Sequence, residues 1–502
     1  MKNFNSGLIT AACLLSAGCA NGPEKEKRDP NIIFILSDDL CWGDLGCFGQ
    51  QKIKTPNIDR IANEGIRFTQ AYCGNAVSAP SRCGLMTGMH PGHARVRDNS
   101  YKGYRESLLK GDFTVAMLLK QAGYKTGLFG KWGLANHDQP GVPNDMGFDE
   151  FFGYLNQQHA HTYYPEFLYH NKERIYYLEN AEHFKLVNYS RQSPYNENGR
   201  VTPNGMKNPS AGTYSFDAYA EKSLEFVREN KDNPFFLYLA YTTPHGPLIV
   251  PDLGIYKDED WPVQHKEWAA MITRMDTEVG KLLALLDELD IDDNTIIFFA
   301  SDNGNQGGYD GRYLKIKEGP TIREFFNQDS PTRGGKGDSY DGAFHVPAMV
   351  RWSGQIKPGL SDHIWAFWDF MPTAAEIAGV AAPAGIDGIS ILPTMLGKEN
   401  EQKKHEYLYW EYQQDQAVRN GKWYAHKVSG KNIELYDLIA DPQQKNDLTS
   451  QFPEISKRME EIMKNSHTPS DVWPSPGENQ EQFSARLREK NITERQVNVS
   501  NY

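Results

Sequence analysis

The chain has 502 residues and a mass of 56.9 kDa, which at about 150 residues per domain predicts about three domains, or one large α/β domain with an appendage. Hydrophobic residues make up 39% and charged residues 24%, a composition that excludes a fibrous chain, a coiled coil and a wholly disordered protein. The net charge of −12, with no long Lys/Arg run, argues against nucleic acid as a partner.

The first twenty residues predict an export signal. An apolar run over residues 8–15 follows Lys2 and is too short to span a bilayer. Small residues precede Cys19, as at the lipid-attachment cysteine of bacterial lipoproteins; an ordinary cleavage site is the alternative reading. Residues 21–29 are polar and suit a tether. We therefore expect an exported protein, in the periplasm or as a cell-surface lipoprotein of a Gram-negative bacterium, with a lipid anchor at Cys19.

Residues 30–396 alternate short apolar runs with amphipathic stretches, which is typical of strands and crossover helices around a buried sheet. Apolar residues at helical spacing predict helices over residues 115–122, ended by Gly123, and over residues 275–289. Strands are predicted over residues 32–36, 126–130, 235–241, 295–300 and 348–352.

The pattern of residue types changes after the polar run 397–404. Short aromatic-rich strands are predicted over residues 406–412, 423–427 and 433–438. We therefore assign residues 397–502 to a smaller α+β subdomain, with a tail after about His467 that drapes over the surface.

Cysteine spacing argues against a zinc knuckle. The four cysteines beyond the signal form no C-x-x-C pair; they are Cys41, Cys47, Cys73 and Cys83. One or two disulfides are compatible with export, but the spacing assigns none.

Acidic and amide side chains follow two predicted strands. Asp38 and Asp39 come directly after the first strand, and Asp302 and Asn303 come after a later one. Ligands gather at the carboxyl ends of parallel strands, where these oxygens would suit Ca²⁺ or Mg²⁺ rather than zinc. Each segment alone also fits a turn or a helix cap.

Basic side chains follow two further strands, at Lys131 and His245, and Lys336 lies in a Gly-Gly-Lys-Gly loop. Each has an ordinary alternative reading: a solvated lysine, a capping or core histidine, and a flexible basic loop. The loop is not a Walker A motif, because Ser/Thr does not follow the Gly-Lys pair and the motif's first Gly is missing.

Residues 78–88 read Ser-Ala-Pro-Ser-Arg-Cys-Gly-Leu-Met-Thr-Gly. On elementary grounds this is a helix start whose free N–H groups favour an anion. The segment resembles the formylglycine motif of type I sulfatases, with Ser78 at the modified position and Arg82 at the arginine that follows. The resemblance continues in the family's order through Asp38-Asp39, Gly130-Lys131-Trp132, residues 244–247, 301–304, 335–337, 346–347, 434–438 and 441–442.

The resemblance implies a fold and a mechanism. The fold is the alkaline-phosphatase-like α/β/α sandwich with a large mixed sheet, followed by a small C-terminal α+β subdomain. Ser78 would be oxidised to formylglycine, whose hydrate supplies the nucleophile, and Ca²⁺ or Mg²⁺ would be bound by Asp38, Asp39, Ser78, Asp302 and Asn303. Arg82, Lys131 and Lys336 would compensate charge on the sulfuryl oxygens, and His245 would donate a proton to the leaving alcohol.

Two departures from the commonest family pattern carry their own expectations. Gly133 stands where Gly-Lys-Trp is usually followed by a histidine, and the replacements are His137, His159 and His161, of which we favour His159. The alternative is that these histidines pack in an aromatic loop. Serine rather than cysteine at position 78 implies a serine-type, oxygen-independent maturation enzyme.

Sulfatases anchored in this way commonly act on sulfated glycans, so a sulfated sugar is the expected substrate. The segment 90–99 would line the sugar pocket, and Trp132 and Tyr163 would stack on the sugar; core packing is the alternative for all of them. Two other functions stay open: a phosphate or phosphonate monoester hydrolase and, with Ser78 unmodified, a non-catalytic protein that binds sulfated glycans.

Overall fold

The computed structural model describes Met1 and residues 28–100, 105–137, 139–180, 212–304, 319–328 and 332–489. The predicted signal segment 1–20, its Cys19 and nearly all of the tether 21–29 lie outside the described residues. Among the described residues, no helix combines the length and the apolar character that a membrane span requires.

Sixteen strands lie in the described residues, and ten of them form one mixed sheet, in the order β11-β2-β10-β9-β1-β8-β4-β5-β6-β7. In chain order the strands are β1 (Asn31–Asp38), β2 (Ile66–Phe68), β3 (Ala71–Tyr72), β4 (Lys125–Lys131), β5 (Glu150–Tyr154), β6 (Phe167–His170), β7 (Glu173–Tyr176), β8 (Phe235–Pro244), β9 (Thr295–Ser301), β10 (Ala348–Trp352), β11 (Gly359–Ser361), β12 (Trp365–Ala366), β13 (Leu408–Tyr412), β14 (Asp415–Asn420), β15 (Trp423–Lys427) and β16 (Glu434–Asp437). The four central strands β9, β1, β8 and β4 are mutually parallel, so their carboxyl ends share one edge.

Helices cover both faces of this sheet. In chain order they are α1 (Pro56–Asn63), α2 (Ser78–Thr87), α3 (Val115–Gln121), α4 (Ser215–Asn230), α5 (Val263–Glu288), α6 (Ile322–Phe326), α7 (Phe370–Ile377), α8 (Leu392–Met395), α9 (Pro453–Ser466) and α10 (Gln480–Glu489). Ile32 and Phe34 of β1 belong to a buried cluster with α2, α3 and α7. Ile33 and Ile35 belong to a second cluster with α1, α4 and α5, because alternate residues of a strand face opposite ways. The predicted α/β/α sandwich is confirmed.

Strands β13 to β16 form a small antiparallel sheet, and α9 packs on it through Met459 and Met463. Trp410 of β13 joins this sheet to the first part of the chain, because its indole N–H donates to Cys73 O, just after β3, at 3.1 Å and its ring stacks on Phe344. The predicted C-terminal subdomain therefore has the expected α+β character, and its boundary at residue 396 stays a prediction.

All five strands predicted in the first part of the chain are present, and both helices are present with Gly123 at a left-handed φ of 92° after α3. In the C-terminal part, β14 was not predicted. The expectation of a tail that only drapes over the surface is wrong: α10 forms there, and the buried Trp473 donates to Arg95 O at 2.7 Å. Cys41, Cys47, Cys73 and Cys83 are free thiols, so the described residues contain no disulfide.

Candidate active site

Four neighbouring strands end in the residues that the sequence singled out. β1 ends at Asp38, β9 runs into Asp302, β4 ends at Lys131 and β8 is followed by His245. Because these strands are parallel and adjacent, their ends meet at one edge of the sheet. The structure therefore brings together side chains that are more than 200 residues apart in sequence.

The acidic part of the site is buried. Asp38, Asp39, Asp302 and Asn303 are all 0–1% exposed. The Asn303 amide donates to Asp39 Oδ1 at 2.7 Å, whereas the buried Asn303 Oδ1 accepts no hydrogen bond from any described residue. Three carboxylates and an amide oxygen that accepts no hydrogen bond are the kind of oxygen ligands that bind Ca²⁺ or Mg²⁺. These residues therefore fit a divalent metal.

Asp39 holds an unusual backbone conformation. Its φ of 66° lies in the left-handed region, which for a residue other than glycine costs about 1–3 kcal/mol. Contacts on its side chain stabilise the conformation: Lys336 Nζ lies 2.6 and 2.7 Å from its two carboxylate oxygens. The turn after β1 is thus fixed by a loop almost 300 residues later in the chain.

Three buried cations face the three carboxylates. Lys131 Nζ donates to Asp38 Oδ2, Lys336 pairs with Asp39, and Arg82 Nη2 lies 2.9 Å from Asp302 Oδ2. The formal charges of these six side chains cancel. A divalent cation would therefore leave the site with a surplus of two positive charges, which favours an anionic ligand.

The charges shift the ionisation of these groups. Burial opposes the charge on Asp38, but Lys131 and the other nearby cations hold its pKa well below the ordinary value. Burial lowers the pKa of Lys131. Burial also works against the charge of Lys336, yet Asp39 raises its pKa above the ordinary value. The pKa of Asp302 is raised by burial and by the charge of Asp38.

Ser78 lies at the centre of this cluster, as the first residue of α2. Its side chain is 1% exposed; Oγ donates to Asp38 Oδ1 at 3.2 Å and accepts from Lys131 Nζ at 3.3 Å. The ten-residue helix directs its free N–H groups toward the same place, which favours negative charge there. Gly337 N–H donates to Ala76 O at 3.0 Å and so ties the Lys336 loop to the turn before Ser78.

His245 lies beside the carboxylates, with Nε2 3.4 Å from Asp39 Oδ2. Its Nδ1–H donates to Gly246 O, and burial lowers its pKa to about 4. Tyr163 positions it, because the phenol donates to His245 O and to Thr242 O, the latter at 2.9 Å. Sequence reasoning missed this role and expected Tyr163 to stack on a sugar. Its ring is fully buried, as is that of Trp132, so the core reading holds for both.

The three histidines considered for the vacant position have different surroundings. The exposed His137 stacks on Tyr169. His159, which the sequence favoured, contacts Tyr154 and Phe167 in the apolar core, and burial lowers its pKa to about 3. His161 instead stacks on His245, with ring centroids 4.0 Å apart and planes 10° apart. The preference for His159 is therefore corrected: His161 is the histidine that borders the site.

The backbone and surroundings of Gly133 disfavour a side chain next to Trp132. Its φ is 80°, and a Cβ atom there would lie 2.3 Å from Nε2 of Gln157. The Gln157 amide thus occupies the space that a side chain at position 133 would take. Nothing in the local sequence of either residue reveals this contact, because it joins two separate loops.

The segment 90–99 borders the site at one end only. Asn99 Oδ1 accepts the Ala79 N–H at 2.7 Å, next to Ser78. His93 and Arg95 line a cavity of about 980 Å³ near the other end of α2, about 15 Å along the helix. The expected role of segment 90–99 in lining the sugar pocket stays a prediction.

The chain matches two family models: "Sulfatase" over residues 30–380 and "N-sulphoglucosamine sulphohydrolase, C-terminal" over residues 336–468. It is 29% identical to an N-acetylgalactosamine-6-O-sulfatase of Bacteroides thetaiotaomicron, over 93% of this chain and 100% of that protein. It is 31% identical to human N-acetylgalactosamine-6-sulfatase, over 75% of this chain and 67% of that protein. An N-acetylglucosamine-6-O-sulfatase of B. thetaiotaomicron is 28% identical, over 92% of this chain and 90% of that protein.

Solved structures are similar as well. The structure of Ps i-CgsB in complex with a neocarrahexaose has a TM-score of 0.70 at 26% identity and covers 94% of this chain and 99% of its own. A phosphonate monoester hydrolase of Agrobacterium radiobacter has a TM-score of 0.63 at 20% identity, with 87% and 95% covered, and so shares the fold alone.

The balance of buried charges predicts that replacing Arg82 destabilises the protein much more than replacing Arg95. Replacing Arg82 by Met should lower the free energy of unfolding of metal-free protein by about 3–5 kcal/mol, because Asp302 is left buried without its partner. Replacing Arg95 by Met, whose ion pair with Asp112 is partly exposed, should cost less than about 1 kcal/mol. Urea unfolding in chelator measures both. Equal losses would contradict the buried balance.

Proposed function

Since the chain belongs to the sulfatase family and hydrolyses sulfate esters, we propose that its substrate carries a 6-sulfate on an N-acetylhexosamine within a sulfated glycan. All three relatives described above have names that specify a 6-sulfate of an N-acetylhexosamine. The names of these relatives carry the choice of sugar and position. The observation that carries sulfate-ester hydrolysis is the electrically balanced cluster around Ser78, which gains an anion-binding surplus once it holds a divalent cation.

Ser78 is the residue proposed to be converted to formylglycine by a serine-type maturation enzyme. In that form the residue would supply the oxygen nucleophile that attacks sulfur, which an ordinary serine hydroxyl at neutral pH does poorly. Its burial between Lys131 and Asp38 supports the assignment, because the attacking oxygen is held by a donor and an acceptor at once.

The metal proposed for Asp38, Asp39, Asp302 and Asn303 is Ca²⁺, since four oxygen donors from rigid strand ends leave room for the larger coordination number of that ion. A cation there would polarise a sulfate oxygen and lower the pKa of the attacking group. Ser78 is the fifth proposed donor, because its Oγ already lies 3.2 Å from Asp38 Oδ1.

The cations and His245 have separate tasks. Arg82, Lys131 and Lys336 would bind the sulfate oxygens and stabilise the charge that spreads over them as the S–O bond to the sugar breaks. His245 would give the leaving sugar oxygen its proton, a role that requires the negative charge of the bound sulfate ester to raise its pKa from about 4. Its fixed position supports this role, since Tyr163 and Gly246 both hold it.

We assign to His161 the proton-accepting role that a histidine at position 133 would otherwise have. Its ring is parallel to that of His245, and its buried Nε2 has no hydrogen-bond partner among the described residues. Burial and the neighbouring His245 lower its pKa well below the ordinary value, so its ring is neutral at neutral pH and its free Nε2 lone pair is the proton-accepting atom.

The first experiment measures sulfate and phosphate release by the Ser78→Cys protein, matured in a host that converts cysteine, with Ser78→Ala as the control. The substrates are the 6-sulfates of N-acetylgalactosamine and N-acetylglucosamine, their 4-sulfated isomers and an aryl phosphate. Release from a 6-sulfate supports the proposal. Phosphate release alone would favour the phosphate or phosphonate ester hydrolase, and binding without release by aldehyde-containing protein would favour the glycan-binding alternative.

Calcium should stabilise the protein. At a concentration 100 times its dissociation constant, Ca²⁺ should add about 2.7 kcal/mol to the free energy of unfolding. Removing it with a chelator should therefore lower the melting temperature. The Asp302→Asn variant should lose most of this Ca²⁺-dependent shift. The control, Asp44→Asn, removes a buried carboxylate that binds the indole of Trp268 and should keep the shift. An equal shift in all three proteins would rule out the proposed ligand set.

His161 and His159 provide a matched pair. The His161→Ala change should reduce kcat by about 10²- to 10⁴-fold and leave the melting temperature nearly unchanged. Added imidazole should restore part of the lost kcat. The His159→Ala change should lower the melting temperature, because its ring fills an apolar contact, and leave kcat close to that of the parent. The reverse pattern would return the role to His159.

A further inference from the structure

We propose that a cleft beside the active site binds a second sulfated sugar of the same glycan. The cleft has a volume of about 700 Å³, and its side chains include Trp42, Phe48, Lys52, Arg67, Phe325 and Leu360. We refer to these six residues as the aromatic cleft. The inference deepens the proposed function and rests on it for the nature of the glycan; the cleft itself is observed independently.

The aromatic cleft opens at the same edge of the sheet as the active site. Trp42 follows Asp39 by three residues, and Thr69, which also lines the cleft, follows the end of β2. β2 runs parallel to β1, since both β2 and β9 are antiparallel to β10 and β9 is parallel to β1. β2 and β1 are three positions apart in the sheet, about 14 Å. The wall of the cleft formed by Arg67 and Thr69 thus lies about three strand spacings from β1, so the cleft extends away from Asp38 and would contact a different sugar.

His345 connects the two walls of the cleft. Its ring centroid lies 5.0 Å from that of Trp42, and its Nε2 lies 2.9 Å from Thr69 O. A buried residue behind the cleft therefore holds Trp42 and Thr69 relative to each other.

Aromatic rings form much of the surface. The rings of Trp42 and Phe48 are 4.3 Å apart, and Phe325 contributes a third ring from α6. Leu360 extends the apolar surface and is 65% exposed. Sugar rings carry apolar C–H faces that pack on aromatic side chains, whereas the hydroxyl groups at their edges stay hydrated.

The charge of the cleft is opposite to that of the whole protein. The lining residues include Lys52 and Arg67 but no Asp or Glu among the described residues, although the net charge of the chain is −12. Lys52 Nζ lies 3.8 Å from the Phe325 ring centre, and Arg67 Cζ lies 5.5 Å from that of Phe48. Neither cation forms an ion pair with a residue of the described part of the chain.

These two properties select the ligand. An aromatic surface alone would suit any apolar group, and two cations alone would suit any anion. Rings and cations in direct contact suit a ligand that has an apolar face and an anionic substituent on one small unit, which a sulfated sugar provides. The protein would therefore prefer oligosaccharides to the single sulfated sugar.

The test compares kcat/KM for 6-sulfated chondroitin oligosaccharides of two, four and six sugars with kcat/KM for N-acetylgalactosamine 6-sulfate. The parent enzyme should favour the longer chains. The Trp42→Ala and Arg67→Gln variants should each lose about tenfold on the hexasaccharide, or about 1.4 kcal/mol, with unchanged hydrolysis of the monosaccharide. Arg458→Ala, an exposed arginine on α9, is the control and should behave as the parent.

The Trp42→Ala change could act by displacing the nearby Asp39 loop. Arg67→Gln excludes this indirect effect, because Arg67 lies on β2, outside the loop that carries Asp39. A parent enzyme with no preference for longer chains, or variants that keep it, would overturn the proposal. Titration calorimetry of the unconverted Ser78 protein with the hexasaccharide separates the two inferences. If no substrate is hydrolysed but Arg67→Gln weakens binding about tenfold, the cleft stands and the proposed 6-sulfatase activity fails; undiminished binding by Arg67→Gln overturns the cleft.

Discussion

The site depends on the mutual compensation of buried charges. Asp38, Asp39 and Asp302 are removed from water together with Arg82, Lys131 and Lys336. Removing one such charge from water costs several kcal/mol, and the loss is offset only if each partner is held at hydrogen-bonding distance. The strand ends provide that rigidity, because β1, β9 and β4 are anchored along their length by neighbouring strands and by both helical layers. The sheet is therefore the support that makes this concentration of charge stable.

The same constraint accounts for local features that are unfavourable alone. Asp39 accepts a left-handed backbone because Lys336 and Asn303 hold its carboxylate. Ser78 is buried at a helix start because Asp38 and Lys131 satisfy its hydroxyl. Each residue is stabilised by partners on other elements, so the site forms as one unit with the sheet.

The sequence was informative where a buried run ends in a charged residue. The apolar character of residues 32–36 and 295–300 predicts strands, and the acidic residues after them need only the rule that parallel strand ends share an edge. It was less informative where the contact partner is remote. His159 and His161 lie in one short loop with the same aromatic neighbours in sequence, and only the stacking of His161 on His245 separates them. The helix α10 was missed because its polar composition resembles that of a tail, whereas the buried Trp473 fixes the segment before it.

The contact between Gly133 and Gln157 has a consequence for placing a histidine at position 133. A Cβ atom there would meet the Gln157 amide, and the left-handed backbone at 133 adds strain for any residue other than glycine. The amide is the end of a flexible side chain and can turn away, whereas the backbone strain stays with any side chain placed there. The backbone of this turn, more than its neighbour, therefore sets the cost of restoring a histidine beside Trp132.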